Sequence, residues 1–137
     1  IDFEHPFIGP QHLALECTEE GYAASIAPAR TFGFYNEVEA LQNIGLIQGG
    51  SLENAIVLTD TGMLNEEPLR FKNEFVRHKI LDLIGDISLC GYPLIGHIRA
   101  HKAGHALHTA LATILVRDPS LCCYASESQL NSHAVNF

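Results

Sequence analysis

The feature that most constrains the fold is residues 77–86, with the sequence RHKILDLIGD. On a helix, at 100° per residue, His78, Asp82 and Asp86 fall within about 80° of arc. The far side of that helix carries apolar residues: Val76, Ile80, Leu83, Ile84 and Ile87. The stretch therefore predicts a helix that packs one face and leaves the ionisable face available for chemistry.

His78 and Asp82 can both reach one ion, because side chains four residues apart are neighbours on a helix. An imidazole nitrogen and a carboxylate oxygen are zinc ligands, and a catalytic zinc usually takes a third protein ligand and keeps one position for water. That third ligand must come from elsewhere in the protein. The spacing alone favours a solvated or ion-paired helix face, so a purely structural role for the pair stays open.

Composition limits the classes of partner. A chain of 137 residues indicates one domain with its own core. The formal net charge of -8 argues against nucleic-acid binding, which relies on Lys and Arg neutralising phosphates. An anionic ligand needs local positive charge, for which the candidates are Arg77, Lys79, Arg99 and Lys102.

The four cysteines show no C-x-x-C pair and too low a density for a disulfide scaffold. We therefore expect a reducing, cytoplasmic compartment, without a transmembrane segment or signal peptide. The chain begins at Ile1 rather than Met, and we expect it to be a piece of a longer polypeptide.

The first sixty residues predict short strands and one small unit. Residues 1–6, 12–17 and 22–27 are expected to be extended, with a turn at Gly9-Pro10. Residues 31–60 then predict a βαβ insert: a strand with Phe32 and Phe34 on one side, a short helix, and a strand at 55–59. Pattern alone favours a core role for the two phenylalanines over an apolar ligand channel. Asn36 and Glu39 are the candidate cap and capping-box residues of the short helix.

The second half predicts helix, strand, helix. The helix around residues 77–86 should run from a cap at Asn73 to about Cys90, and alternation at 94–101 predicts a strand. A second helix should begin near His105 and end near residue 118. Its expected apolar stripe, opposite His105 and His108, is Leu107, Ala110, Leu111 and Ile114. The fold class is thus α+β: a small β-sheet packed against two main helices. We expect His133, in the polar tail, to be exposed.

The order of these motifs resembles the second domain of the zinc-dependent UDP-3-O-acyl-N-acetylglucosamine deacetylases of lipid A biosynthesis, over nearly the whole chain to about Ile114. The matching motifs are IDFEHP at 1–6, ARTFGF at 29–34, GGS at 49–51, LRF at 69–71, EFVRHK at 74–79, LD at 81–82 and GHAL at 104–107. Several motifs in unbroken order make the resemblance specific.

The resemblance implies a role for each matching residue. His78 and Asp82 match two zinc ligands, His105 the general acid that also stabilises the oxyanion, and Asp86 the carboxylate that orients it. The residues implied to lie near the substrate are Thr31 beside its carbonyl, Lys79 and Lys102 near its diphosphate, and Phe32 and Phe34 on its binding side. The βαβ insert matches the passage for the fatty acyl chain.

The resemblance also implies one half of a two-domain β-α-α-β sandwich that works as a monomer on a UDP-linked acylated glucosamine. In that family the third zinc ligand, a histidine, and the glutamate base lie in an N-terminal domain. No counterpart of either residue is found in residues 1–137. We therefore expect this chain alone to bind zinc weakly and to have little or no hydrolytic activity.

Two other interpretations stay open. One is a non-catalytic domain that binds a metal or a nucleotide sugar. The other is a purely structural role in which His78 and Asp82 are a surface pair. Zinc content before and after His78→Ala separates the structural interpretation from the others.

Overall fold

The computed structural model describes residues 1–45 and 49–126. The described residues form an α+β fold with two small two-stranded sheets and two longer helices packed together. The elements are β1 (Asp2–Phe3), β2 (Gly9–Pro10), α1 (Glu19–Ser25), β3 (Thr31–Phe34), α2 (Tyr35–Asn43), β4 (Ala55–Leu58), α3 (Glu74–Ser88), α4 (His105–Arg117) and a 3-10 turn (Pro119–Leu121). None of these helices is long and apolar enough to cross a membrane. His133 lies outside the described residues.

The predicted βαβ insert is confirmed. Strands β3 and β4 are parallel, with Thr31 opposite Ala55 and Phe34 opposite Leu58, and α2 connects them. The helix begins at Tyr35, directly after β3, so Asn36 lies inside its first turn and the predicted cap position was wrong.

An aromatic cluster joins this insert to α3. Phe75, which is fully buried, packs with Ile8, Ile56 and Leu58 in the main core. The Phe32 ring lies edge-on to the Phe75 ring, with 5.0 Å between centroids. The aromatic side chain of β3 is thereby fixed against the start of α3.

A buried ion pair joins the same two elements. Glu74 is fully buried and Arg30 is 3% exposed. Glu74 Oε1 accepts hydrogen bonds from the Arg30 backbone nitrogen at 2.9 Å and from Arg30 Nε at 3.0 Å. Burial raises the pKa of the Glu74 carboxyl, but these bonds and that from the Arg70 backbone nitrogen outweigh burial and leave the pKa below its usual value. The pair therefore holds β3 and α3 together in the ionised state.

Helices α3 and α4 pack through a second apolar cluster. Ile87, Cys90 and Ala112 are buried there, with Leu111 and Leu115 against them. The helical stripe predicted for α4 was therefore only partly right. The face turned to α3 consists of His108, Leu111, Ala112 and Leu115, whereas Leu107 and Ile114 are 63% and 53% exposed.

The strand predicted at 22–27 was wrong, because most of it belongs to α1. Thr18 caps that helix, and its hydroxyl accepts a hydrogen bond from the Gly21 nitrogen at 3.0 Å. Glu19 and Glu20 follow in the first turn, where negative charge favours a helix N-terminus. These start signals prevail over the short apolar run that suggested a strand.

The other strand predictions also need correction. Residues 94–101 are exposed and form neither helix nor strand, because alternation yields a strand only where a partner is available. Residues 12–17 likewise contain no strand. Gly9 and Pro10 form β2, antiparallel to β1, and the chain reverses just before them, where the Ile8 nitrogen donates to the His5 carbonyl at 3.1 Å.

The long helix starts and stops close to prediction. Asn73 occupies the N-cap position of α3, but its side chain makes no capping hydrogen bond; Asn73 Oδ1 instead accepts from Arg77 Nε at 2.8 Å. The helix ends at Ser88, and Gly91 follows with φ 78°, a conformation that favours glycine.

Candidate metal and catalytic site

The predicted pair on α3 is brought together. His78 Nε2 lies 3.2 Å from Asp82 Oδ1, and both side chains are largely buried. His78 Nδ1 lies 3.3 Å from the carbonyl oxygen of Ala29, the residue before the buried Arg30. A backbone carbonyl on one ring nitrogen fixes the ring orientation and leaves the other nitrogen to act as a ligand.

Lys79 shares this carboxylate, because its ammonium forms an ion pair with Asp82 Oδ2. Burial raises the pKa of the Asp82 carboxyl, but hydrogen bonds from His78 and Lys79 more than offset burial, and the pKa is well below its usual range. Asp82 is therefore a carboxylate at neutral pH, as a metal ligand must be.

A second imidazole–carboxylate pair lies across the interface between α3 and α4. His105, at the start of α4, places Nδ1 2.7 Å from Asp86 Oδ2, and its Nε2 lies 3.9 Å from Asp82 Oδ2. The His105 side chain is 67% exposed. With Nδ1 engaged by Asp86, Nε2 is the nitrogen available to a bound molecule.

His108 is the site residue that the sequence reasoning missed. Its Nδ1 lies 2.9 Å from the same Asp86 oxygen, and its side chain is 3% exposed. Burial raises the pKa of the Asp86 carboxyl, but the hydrogen bonds from His105 and His108 prevail and lower the pKa. The available signal was spacing, since His108 lies three residues after His105 and so shares its helix face.

Asp86, His105 and His108 also form a group with metal-ligand chemistry. Each offers one ligand atom, and these three atoms lie within 4.8 Å of one another. The described part of the chain thus contains two neighbouring groups of potential metal ligands, and their carboxylates, Asp82 and Asp86, lie one turn apart on α3.

Most of the predicted site residues line one cleft of about 290 Å³. Seven of the nine line it: Thr31, Phe32, Phe34, His78, Lys79, Asp82 and His105. Asp86 is connected to the cleft through His105. Lys102 does not line it; Lys102 Nζ lies 2.5 Å from Asp2 Oδ2, and its backbone adopts φ 50°.

The cleft has an apolar wall from β3 and a polar wall from α3 and α4, with two imidazole–carboxylate pairs at its edge. Together with the α+β fold, these features define the chain as a domain with a candidate metal and catalytic site. The chain belongs to the UDP-3-O-acyl N-acetylglycosamine deacetylase (LpxC) family, whose sequence model matches residues 1–117.

Individual relatives agree with the family match. The chain is 54% identical over 124 residues to a UDP-3-O-acyl-N-acetylglucosamine deacetylase of Myxococcus xanthus. The aligned region covers 90% of this chain and 39% of the relative. It is 50% identical over 138 residues to the protein of that name from Oleidesulfovibrio alaskensis, covering 98% and 45% respectively. The chain therefore spans about two fifths of the length of the curated relatives it matches.

Proposed function

We propose that residues 1–137 are the second domain of a zinc-dependent, cytoplasmic and monomeric UDP-3-O-acyl-N-acetylglucosamine deacetylase of lipid A biosynthesis. In this proposal the chain is one half of a β-α-α-β sandwich, and an N-terminal domain supplies the third zinc ligand and the glutamate base. The observation that carries the proposal is the convergence of seven residues from separate motifs on one cleft.

The donor set at His78 and Asp82 fits zinc. One imidazole nitrogen and one carboxylate oxygen face each other at 3.2 Å, and the Ala29 carbonyl orients the imidazole from behind. These two residues would hold the ion. When bound, zinc polarises the substrate carbonyl and lowers the pKa of a coordinated water.

His105 is the proposed general acid. Asp86 accepts a hydrogen bond from Nδ1 and so fixes the plane of the ring, while Nε2 lies 3.9 Å from Oδ2 of Asp82, another residue of the cleft. In the imidazolium form, Nε2–H donates its proton to the departing amine nitrogen as the amide C–N bond breaks. The same N–H stabilises the oxyanion before that step.

The remaining cleft residues are proposed to position the substrate. Thr31, Phe32 and Phe34 line the cleft. In this proposal the Thr31 hydroxyl contacts the substrate carbonyl, the two rings offer apolar surface, and the β3–α2–β4 insert forms the passage for the acyl chain. Lys79 is proposed to supply positive charge for the diphosphate, for which its ammonium must turn from its present ion pair with Asp82. Lys102 can serve the diphosphate only by giving up its ion pair with Asp2.

The test uses the parent polypeptide that contains this chain, with acetate release from UDP-3-O-acyl-N-acetylglucosamine as the readout. His105→Ala should lower kcat by about 10²- to 10⁴-fold, the range that a positioned general acid contributes. His97→Ala, at an exposed histidine outside the cleft, is the matched control and should leave kcat unchanged.

Unchanged kcat in His105→Ala would contradict the proposal. Binding of the UDP-sugar without acetate release would favour the non-catalytic binding domain. Zinc content of the parent polypeptide that is the same before and after His78→Ala would support the purely structural role of His78 and Asp82.

A further inference from the structure

We propose that Asp86, His105 and His108 form a second divalent-cation site, separate from the His78 and Asp82 pair. The proposed function uses Asp86 and His105 only for proton transfer and leaves His108 without a role. The second site needs no residue from outside this chain.

The placement of the three side chains suits a cation. His105 and His108 lie in the first turn of α4, three residues apart, and Asp86 faces them from α3. Their ligand atoms lie within 4.8 Å of one another. Ligands bound tetrahedrally to zinc at 2.0–2.2 Å are separated by roughly 3.3–3.5 Å. The present Nδ1–Oδ2 distances, 2.7 and 2.9 Å, need only a small expansion when a cation replaces the two bridging protons.

Burial and packing favour a fixed site with one open side. The His108 side chain is 3% exposed and the Asp86 side chain 16%, so two ligands are held by the protein. The His105 side chain is 67% exposed, which leaves an entry path and room for water as a fourth ligand. The apolar contacts of Ile87 with Ala112 hold α3 and α4 together next to the three groups.

The chemistry of the donors indicates the kind of cation. Each imidazole binds through Nδ1 and carries its proton on Nε2, so both stay neutral, and the Asp86 carboxylate supplies one negative charge. Two imidazoles and one carboxylate suit Zn²⁺, Co²⁺ or Ni²⁺, whereas Mg²⁺ and Ca²⁺ prefer oxygen ligands.

The site changes what the chain should do by itself. The expectation of weak zinc binding counted only His78 and Asp82, which are two ligands. Three ligands at Asp86, His105 and His108 should take the first equivalent of cation, and the two-ligand pair should bind a second equivalent more weakly.

The test is titration of the purified 137-residue chain with Co²⁺, followed by its visible absorption, and with Zn²⁺ by competition. His108→Asn should weaken the first equivalent by at least about tenfold, since loss of an outer partner alone typically costs 10- to 100-fold in metal affinity. His78→Asn should leave the affinity for the first equivalent essentially unchanged, because His78 is not one of the three ligands. His97→Asn is the matched control for loss of an exposed imidazole.

Equal affinity in the wild-type chain and His108→Asn would overturn the inference and leave Asp86, His105 and His108 as a hydrogen-bonded network only. A loss confined to His78→Asn would also overturn it, while supporting the zinc pair of the proposed function. If circular dichroism shows that His108→Asn does not fold, the exposed His105 provides the substitute, and His105→Asn should produce the same tenfold loss. Unchanged binding in that variant would overturn the inference as well.

Discussion

His105 Nδ1 lies 2.7 Å from Asp86 Oδ2, although the two residues are 19 positions apart in the sequence. The carboxylate comes from the last turns of α3 and the imidazole from the first residue of α4. The apolar contacts between the two helices, not the connection that joins them, set this distance. The proton transfer that we propose for His105 would therefore depend on how α3 and α4 pack.

Asp86→Asn should lower kcat of the parent enzyme while KM changes little. The amide keeps the shape of the carboxylate but removes its negative charge and weakens the hydrogen bond that orients the His105 ring, so part of the roughly 10²- to 10⁴-fold general-acid contribution should be lost. Steady-state kinetics with Asp60→Asn, at an exposed carboxylate, is the control. A rise in KM with unchanged kcat would contradict the proposed orienting role.

Glu74→Gln should destabilise the fold by roughly 3–5 kcal/mol, the cost of breaking a buried ion pair by removing one partner. Glu74 is fully buried and bonded to Arg30, so the substitution leaves the buried guanidinium with the exposed Glu67 as its remaining ion-pair partner. Urea denaturation of the chain measures the free energy of unfolding. Glu66→Gln, at an exposed carboxylate, should stay within about 0.5 kcal/mol of wild type, and an equal effect of both changes would contradict the prediction.

The stability difference between wild type and Glu74→Gln should depend on pH. The pKa of Glu74 is lowered in the folded chain below its ordinary value of 4.5. Its contribution is therefore fully present above about pH 4.5 and is lost as the pH falls through the folded-state pKa. Urea curves from pH 7 to pH 3 should show the two proteins converging at the acid end. A difference that grows as pH falls would show that the sign is wrong.

Phe75→Ala and Phe34→Ala should have different effects, because Phe75 is a core residue and Phe34 lines the cleft. Phe75 is fully buried, and its truncation should cost about 3–5 kcal/mol of stability. Phe34 is half-buried and lines the cleft, so Phe34→Ala should cost less stability and raise KM for the acylated substrate of the parent enzyme. Thermal unfolding and steady-state kinetics check both. Equal destabilisation with unchanged KM would make Phe34 a core residue only.

The helices that carry the site could be predicted from the sequence because their signals are local. The bounds of α3 were predicted within about two residues. The signals were the helical periodicity, Asn73 at the cap position and Gly91 beyond the last turn. The close approach of His78 to Asp82 follows from four-residue spacing on that helix. The parallel βαβ insert was also predictable, since two strands joined by one short helix form a compact unit.

The strands were harder, because pairing depends on residues far away in the sequence. Alternation at 94–101 carries no information about whether a partner strand is present, and that segment lies exposed. Residues 22–27 show the opposite case: the cap at Thr18 and the acidic turn after it favour a helix more strongly than the short apolar run favours a strand.

His108 could not be assigned to the site from periodicity alone. The sequence placed it with His105, opposite an apolar stripe, and therefore on a polar face. In the structure that face turns toward α3, because Leu111, Ala112 and Leu115 beside it bury more apolar surface there. Burial brings the His108 imidazole to Asp86, and only tertiary packing decides this.

The connection from residue 89 to residue 104 contains neither helix nor strand. Lengthening this connection by a few residues would lower the stability of the fold only slightly, since the entropy lost on closing a loop depends only weakly on its length. One residue added between His78 and Asp86 would instead rotate the later side chains of α3 by about 100° around the helix axis. His78, Asp82 and Asp86 would then no longer share one face. A change in the length of this connection should therefore keep the arrangement of the histidine and aspartate side chains, whereas a single insertion or deletion between His78 and Asp86 should not.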